Sequence, residues 1–201
     1  MQYLKDHVRN SIAEEALKEF AEKGYKGASI RCIAKKSNTS VGNIYKYFDS
    51  KEALYENLIG SVYDKVMDYI NQFQKVELND KAEDIFYQLM EKVMEIFNYN
   101  SIEFSILLNK SQGSKYEHCK GIFVDFITRI VTENVSYQLS TKGKRLKDNF
   151  LIYIISNSLV ESIAIILQER QDGAEARKLI LNIIEIFYND ILDKLESEDI
   201  N

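Results

Sequence analysis

The strongest structural signal in the chain lies in residues 29–50, SIRCIAKKSNTSVGNIYKYFDS. It predicts two short helices, over residues 30–36 and 41–47, because Ser29 and Ser40 can each cap a helix and apolar residues at helical spacing follow. Ser37, Asn38 and Thr39 form the turn between them, since asparagine adopts the left-handed backbone conformation more readily than most residues.

Longer helices are predicted on both sides of this pair. The first runs from about Lys5 to Lys23, and Gly24 can end it in a left-handed cap. The other starts at Asp49 with Glu52, or at Ser50, and reaches about residue 74. Its apolar stripe is Leu54, Leu58, Val62, Val66, Ile70 and Phe73. A supporting helix, two short helices and a long helix have the layout of a helix-turn-helix.

Gly42 lies inside the second short helix, where glycine lowers helix stability. A position without a side chain lets another molecule approach the backbone closely. Ile44 and Phe48 point to one side of this segment, and the remaining residues present a polar and aromatic set to the other.

Charge is unevenly distributed along the chain. The whole sequence carries a formal charge of −5, but residues 1–60 carry ten Lys and Arg against eight Asp and Glu, and residues 61–201 carry sixteen against twenty-three. Between Lys26 and Lys51 there are six basic residues and one acid, Asp49. This surplus can supply phosphate contacts, although a solvated basic face would look the same.

The composition predicts an all-helical protein. The 201 residues include no proline and only eight glycines, and 45% are hydrophobic. Cys32 and Cys119 have no CxxC spacing, and the N-terminus has no apolar signal core, so we expect a reducing cytoplasmic location. Polar residues interrupt the apolar stretch 150–167, which is interpreted as a buried helix and not a membrane span.

Residues 13–58, AEEALKEFAEKGYKGASIRCIAKKSNTSVGNIYKYFDSKEALYENL, resemble the N-terminal domain of the TetR family. The resemblance rests on several separate motifs, and it departs at Asn38-Thr39, where Gly-Val is more usual. It implies an all-α fold of about nine helices, with a three-helix DNA-binding domain over residues 1–60 and a helical ligand-sensing and dimerisation domain over residues 61–201.

Periodicity predicts the C-terminal helices at about 81–97, 101–109, 115–139, 144–170 and 174–195. The last two are apolar around much of their girth and must be covered on more than one side. The resemblance implies that they pair with a second subunit through the stripe Ile180, Ile183, Phe187, Ile191 and Leu195. Packing within one subunit is the alternative for these positions.

The resemblance also implies which residues face DNA. The second short helix and its cap contribute Ser40, Val41, Gly42, Asn43, Tyr45, Lys46 and Tyr47. Asn43 could pair with an adenine edge and Val41 could contact a thymine methyl. Hydroxyls of Thr39, Tyr45 and Tyr47 can reach phosphates, and Lys51 lies where the helix dipole also favours a phosphate. Arg31 is a candidate for a flanking contact.

Ligand-binding candidates are sought among polar and aromatic residues of the C-terminal half, although residues of this kind are more often structural than functional. They are Tyr99, Glu103, Phe123, Asn157 and Glu161. Glu161 is a carboxylate within an apolar run, so it is costly unless paired or used. It could meet a cationic hydrophobic ligand or a lysine.

These features predict a ligand-responsive repressor that binds a palindromic double-stranded operator as a homodimer and is released by a small-molecule effector. The sequence has no GxSxG, Gly-rich phosphate loop or HExxH, and His7 and His118 lie far apart, so we expect no enzyme activity, cofactor, metal or membrane partner. The alternative is a helical-bundle interaction module without DNA binding, which leaves Gly42 and the basic cluster unexplained.

Overall fold

The computed structural model describes residues 2–73, 81–170, 172–189, 191 and 195. These residues form eight α-helices and no strand, which confirms the all-α fold. The helices are α1 (Gln2–Gly27), α2 (Ile30–Lys36), α3 (Val41–Ile44), α4 (Lys51–Gln72), α5 (Ala82–Asn109), α6 (Cys119–Thr141), α7 (Phe150–Glu169) and α8 (Gly173–Tyr188). The helix count is lower than predicted because residues 82–109 form one run, with non-helical backbone only at Asn100 (φ −141°, ψ 47°).

The chain divides into two compact units. The first unit comprises Met1–Met67 and Asn100–Cys119, and the second comprises Asp68–Tyr99 and Lys120–Asn201. Helices α4 and α5 therefore contribute residues to both units. The functional division into residues 1–60 and 61–201 stays a prediction.

An aromatic cluster forms much of the first unit's core. The stripe Ile12, Ala16 and Phe20 of α1 is fully buried, as its spacing predicted. The ring centroids of Phe20 and Tyr55 lie 4.8 Å apart in an edge-on arrangement. The Tyr55 hydroxyl lies 2.9 Å from Ser111 Oγ, and burial raises the pKa of Tyr55 to about 12. The hydroxyl of Tyr55 therefore has a hydrogen-bond partner inside the core.

Gly24 interrupts α1 with a left-handed backbone (φ 68°), as predicted, but the chain continues as a helical turn to Gly27. The next residue, Tyr25, donates its backbone N–H to the Lys110 carbonyl at 2.8 Å. A Cβ on Gly24 would lie 3.4 Å from that same carbonyl oxygen. Glycine is therefore favoured here by its backbone angle, since a methyl group at that distance would make only an ordinary contact.

Three predicted boundaries differ from the structure. Helix α3 ends at Ile44 and not at Tyr47, because Tyr47 N–H donates to the Ile44 carbonyl (2.9 Å) in a tighter turn. Helix α6 begins at Cys119 and not at residue 115 as predicted, because residues 111–119 form tight turns. Gly143 (φ 71°) follows the end of α6, and α7 begins only at Phe150.

Helix α7 packs on α8 in the second unit. One face of α7 is buried by this chain, and it comprises Ile152, Ser156, Leu159, Val160, Ile163, Ala164 and Leu167. Large exposed apolar residues on the same helix are Phe150, Leu151, Ile154 and Ile165. In the described residues α7 is the one helix long and apolar enough to cross a membrane, a test that core helices also pass. The interpretation of α7 as a buried helix therefore holds for one face only.

Candidate nucleic-acid interface

The turn between α2 and α3 has the geometry that its sequence predicted. Asn38 adopts a left-handed conformation (φ 51°), and Thr39 N–H donates to the Ala34 carbonyl at 2.9 Å. Ser40 caps α3, since its hydroxyl accepts from the Asn43 backbone N–H at 3.1 Å. Local hydrogen bonds therefore fix how α3 follows α2.

Ser29 is the N-cap residue of α2 but makes no side-chain capping hydrogen bond, contrary to prediction. Its carbonyl accepts from Ile33 N–H at 3.0 Å as an ordinary first helical bond. Its own N–H points towards the Glu19 carboxylate, 3.4 Å away. The start of α2 is therefore anchored by a residue of α1.

Helix α3 presents one side to the core and leaves the other open. Ile44 and the following Phe48 are buried, whereas Gly42, Tyr45 and Lys46 are exposed. A Cβ built on Gly42 meets no heavy atom within 4 Å. Packing of this chain therefore does not explain the glycine at position 42.

Asn43 is half-buried, and its side chain is held in place. Its amide Nδ2 donates to Thr39 Oγ1 at 2.8 Å. The second amide hydrogen and the carbonyl oxygen keep their capacity for a bidentate partner. The hydrogen bond limits the rotamers of Asn43, so less side-chain entropy would be lost on binding.

Lys51 at the start of α4 has a structural role in this chain. Its ammonium donates to the Ala28 carbonyl at 2.8 Å and lies 4.8 Å from the centre of the Tyr25 ring. Burial lowers the pKa of Lys51 from its ordinary value. An ammonium has three donors, so the contact to Ala28 does not prevent a phosphate contact.

The ten residues predicted to face DNA all lie in the first unit. Five are exposed, namely Arg31, Ser40, Gly42, Tyr45 and Lys46. Five are half-buried, namely Thr39, Val41, Asn43, Tyr47 and Lys51. Residues 39–47 form one continuous segment of turn and helix, with Arg31 and Lys51 at the starts of α2 and α4.

Glu19 was not singled out from the sequence, yet it ties α1 to α2. Its side chain is only 4% exposed and pairs with the Lys36 ammonium at 3.0 Å. Burial alone would raise the pKa of Glu19, but hydrogen bonds from the Cys32 thiol, Lys36 and Ser29 N–H outweigh it and lower the pKa. No local sequence pattern marks this glutamate, because its partner Lys36 lies 17 residues away.

Comparison with known proteins identifies this arrangement. Residues 12–58, which contain α2 and α3, match the family model described as bacterial regulatory proteins, tetR family. Over these residues the chain is similar to the TetR family. The helix-turn-helix predicted from the sequence therefore lies in the segment that is similar to this family of regulators.

Two relatives and one solved structure illustrate the similarity to known transcriptional regulators. The chain is 30% identical over 96 residues to YttP of Bacillus subtilis, named a probable HTH-type transcriptional regulator, and this match covers 48% of the chain but less than half of YttP, 45%. It is 24% identical over 145 residues to IcaR of Staphylococcus aureus, the negative transcriptional regulator of the biofilm operon icaADBC. This match covers 71% of the chain and 76% of IcaR. SCO3833, a TetR-family member from Streptomyces coelicolor, shares the fold with a TM-score of 0.62 at 16% identity, covering 89% of each chain.

A cavity of about 750 Å³ lies in the second unit, and its volume is within the range of small-molecule sites. Its walls come from α5, α6 and α8, and include Phe86, Val131, Val135, Ile184 and Tyr188. The sequence analysis did not identify these lining residues.

None of the five predicted ligand residues lines this cavity. Tyr99 is 82% exposed and Asn157 is also exposed, whereas Phe123 is buried and Glu103 is half-buried. Glu161 is exposed and pairs with Lys120 at 2.8 Å, so its partner is a lysine. The aromatic and acidic residues that line this cavity are therefore not the ones that were predicted.

The predicted dimer stripe on α8 is split between two faces. Ile180 is 2% exposed, so it packs within this chain and is not available to a partner. Ile183, Phe187 and Ile191 are half-buried, and Ile191 also lines the cavity. The sequence analysis missed Ile186, which is 66% exposed on α8.

Proposed function

We propose that this chain is a TetR-type, ligand-responsive repressor that binds a palindromic operator as a homodimer in the cytoplasm. The open face of α3 carries the proposal, because Gly42 exposes backbone where the fold has no need of a glycine. Negative regulation by the relative IcaR supports repression. A dimer is expected because one short helix gives too few base contacts for operator selectivity.

The ten candidate residues divide into two kinds of contact. Val41 and Asn43 would read base edges in the major groove, with Gly42 permitting close approach. Tyr45, Lys46, Tyr47 and Thr39, with Arg31 and Lys51 at the flanks, would hold phosphates, and Ser40 would present its backbone N–H to the same strand.

Lys46→Ala tests the phosphate contacts, because this lysine is exposed just after α3 and its neighbours Ile44 and Phe48 carry the packing of this segment. We expect weaker binding to the DNA upstream of the protein's own gene. A plot of log affinity against log salt should be shallower by about 2, because each subunit of the dimer loses one phosphate contact. Fluorescence anisotropy over a salt series measures both quantities.

Lys92→Ala is the matched control, since Lys92 loses the same charge but pairs with Glu95 in the second unit. Its salt slope should equal that of the unmodified protein. Equal slopes for all three proteins would exclude Lys46 from the interface, and a folded dimer with no sequence-selective binding to any DNA fragment would favour the bundle interpretation.

We further propose that the uncovered apolar side chains of α7 and α8 form the dimer interface. They are Phe150, Leu151, Ile154 and Ile165 on α7 with Ile186 on α8. Apolar patches of this kind mark interaction sites when they are contiguous. Half-buried Ile183 lies three positions before Ile186 and four before Phe187, so these three residues border one face of α8.

Ile186→Glu should convert the protein from dimer to monomer, because it places a charge in a desolvated interface. Tyr99→Glu introduces the same charge at a position that is 82% exposed on α5, and should leave the dimer intact. Sedimentation velocity at micromolar concentration distinguishes the two states. A dimeric Ile186→Glu protein would show that this surface is not the interface.

A further inference from the structure

The cavity of the second unit has an aromatic side. The Phe86 ring lies edge-on to Tyr188, with centroids 5.8 Å apart, and edge-on to Tyr87, with centroids 6.2 Å apart. All three residues line the cavity, and Tyr87 is 48% exposed. Aromatic faces carry a negative quadrupole, so this wall attracts cations and apolar groups alike.

The polar side of the cavity carries a single negative charge among its described residues. Among the described lining residues, Glu185 is the one formal charge, and Asn134, Gln138 and Asn189 supply neutral amides. The Tyr188 hydroxyl lies 3.1 Å from Ser156 Oγ, and burial raises the pKa of Tyr188 to about 12. Tyr188 therefore stays neutral at pH 7 and adds no second charge.

Two arginines on the helices that form the walls are engaged by acids. Arg129 Nε donates to Glu133 at 2.7 Å, and its guanidinium also donates to the Phe73 carbonyl. Arg177 of α8 pairs with Glu91 of α5. Neither arginine lines the cavity, so neither neutralises Glu185 from its wall.

We infer that the effector site of this protein takes a cation with a bulky apolar body, with the charge placed near Glu185 and the body against Phe86, Tyr87 and Tyr188. This rests on the proposed function, which requires an effector, and it adds the effector's chemical class. A carboxylate or phosphate ligand is disfavoured, because it would lie near the like charge of the exposed Glu185 without a basic partner among the described lining residues.

Tetraphenylphosphonium and tetraphenylborate provide the first test, because the two ions have nearly the same size and shape and opposite charge. Isothermal titration calorimetry on the full-length protein should show binding of the phosphonium, with the borate at least about tenfold weaker. Equal affinities, or tighter binding of the borate, would overturn the inference.

Glu185→Gln provides the second test, and it should weaken phosphonium binding about fivefold, the effect of one partly solvated charge pair. Asp125→Asn is the matched control, since Asp125 is an exposed carboxylate on α6 outside the cavity, and it should leave the affinity unchanged. Tyr87→Leu removes an aromatic face at the same wall and should also weaken phosphonium binding. If neither Glu185→Gln nor Tyr87→Leu binds the phosphonium more weakly than Asp125→Asn, the site is not this cavity.

Operator binding by the same preparations separates the two hypotheses. Selective DNA binding without phosphonium binding would overturn the ligand class and leave the repressor intact. Phosphonium binding that depends on Glu185, without DNA binding, would overturn the proposed function and leave the cavity as a cation site. If both hold, the phosphonium should release the operator at concentrations near its dissociation constant.

Discussion

Gly42→Ala is expected to weaken selective operator binding about tenfold or more while the protein stays fully folded. The new methyl group meets no heavy atom within 4 Å in this chain, so the fold tolerates it. Alanine also favours helix over glycine by about 0.5–1 kcal/mol, so the variant should unfold at a slightly higher temperature. In the complex, the methyl group would occupy space that a base edge or sugar needs, and loss of one good base contact lowers affinity about tenfold or more.

Gly121→Ala is the matched control for this substitution. Gly121 lies in the first turn of α6, is exposed, and likewise has no heavy atom within 4 Å of the place that a new methyl group would take. Both variants should gain stability in thermal unfolding, but only Gly42→Ala should lose affinity in an anisotropy titration with the operator. Unchanged operator affinity in Gly42→Ala would mean that α3 does not approach DNA at residue 42.

Features set by neighbouring residues were predictable from the sequence. The left-handed Asn38 and the Ser40 cap each depend on contacts a few residues away, and both were confirmed. The left-handed Gly24 was also confirmed, although the carbonyl next to it belongs to the distant Lys110. Ser29 shows the limit, because it makes no side-chain cap and its backbone N–H instead contacts the distant Glu19 carboxylate. The DNA-facing residues stay a prediction, although the structure leaves the relevant side of α3 open.

Features set by packing between distant helices were not predictable. Helix α8 is apolar on two sides, so its sequence does not show which side packs within the chain. In the structure Ile180 is buried and Ile186 is exposed. The cavity brings together residues from α5, α6 and α8 that lie about 100 positions apart in sequence. The sequence shows that Glu161 is an acid in an apolar run, but only the fold shows that it forms an ion pair with Lys120.

Glu19→Gln is expected to lower the free energy of unfolding by about 2 kcal/mol at pH 7, because a buried charge-assisted hydrogen bond is replaced by a neutral one. The pKa of Glu19 is lowered in the folded protein, so the unfolded chain binds more protons near pH 4. The contribution of Glu19 is therefore complete above the ordinary glutamate pKa of about 4.3 and is lost as pH falls through the folded value. Urea unfolding at fixed protein concentration, at pH 7 and at lower pH, measures this dependence.

Glu22→Gln is the control that distinguishes burial from charge. Glu22 is 58% exposed, pairs with Lys23, and lies 3.9 Å from the same Lys36 ammonium, so its loss should change stability little. At low pH the protonated Glu19 has the shape and charge of glutamine, so the unmodified protein and Glu19→Gln should converge. A stability difference that stays constant down to pH 3 would mean that Glu19 acts through packing alone, and that its ion pair with Lys36 does not hold α1 to α2.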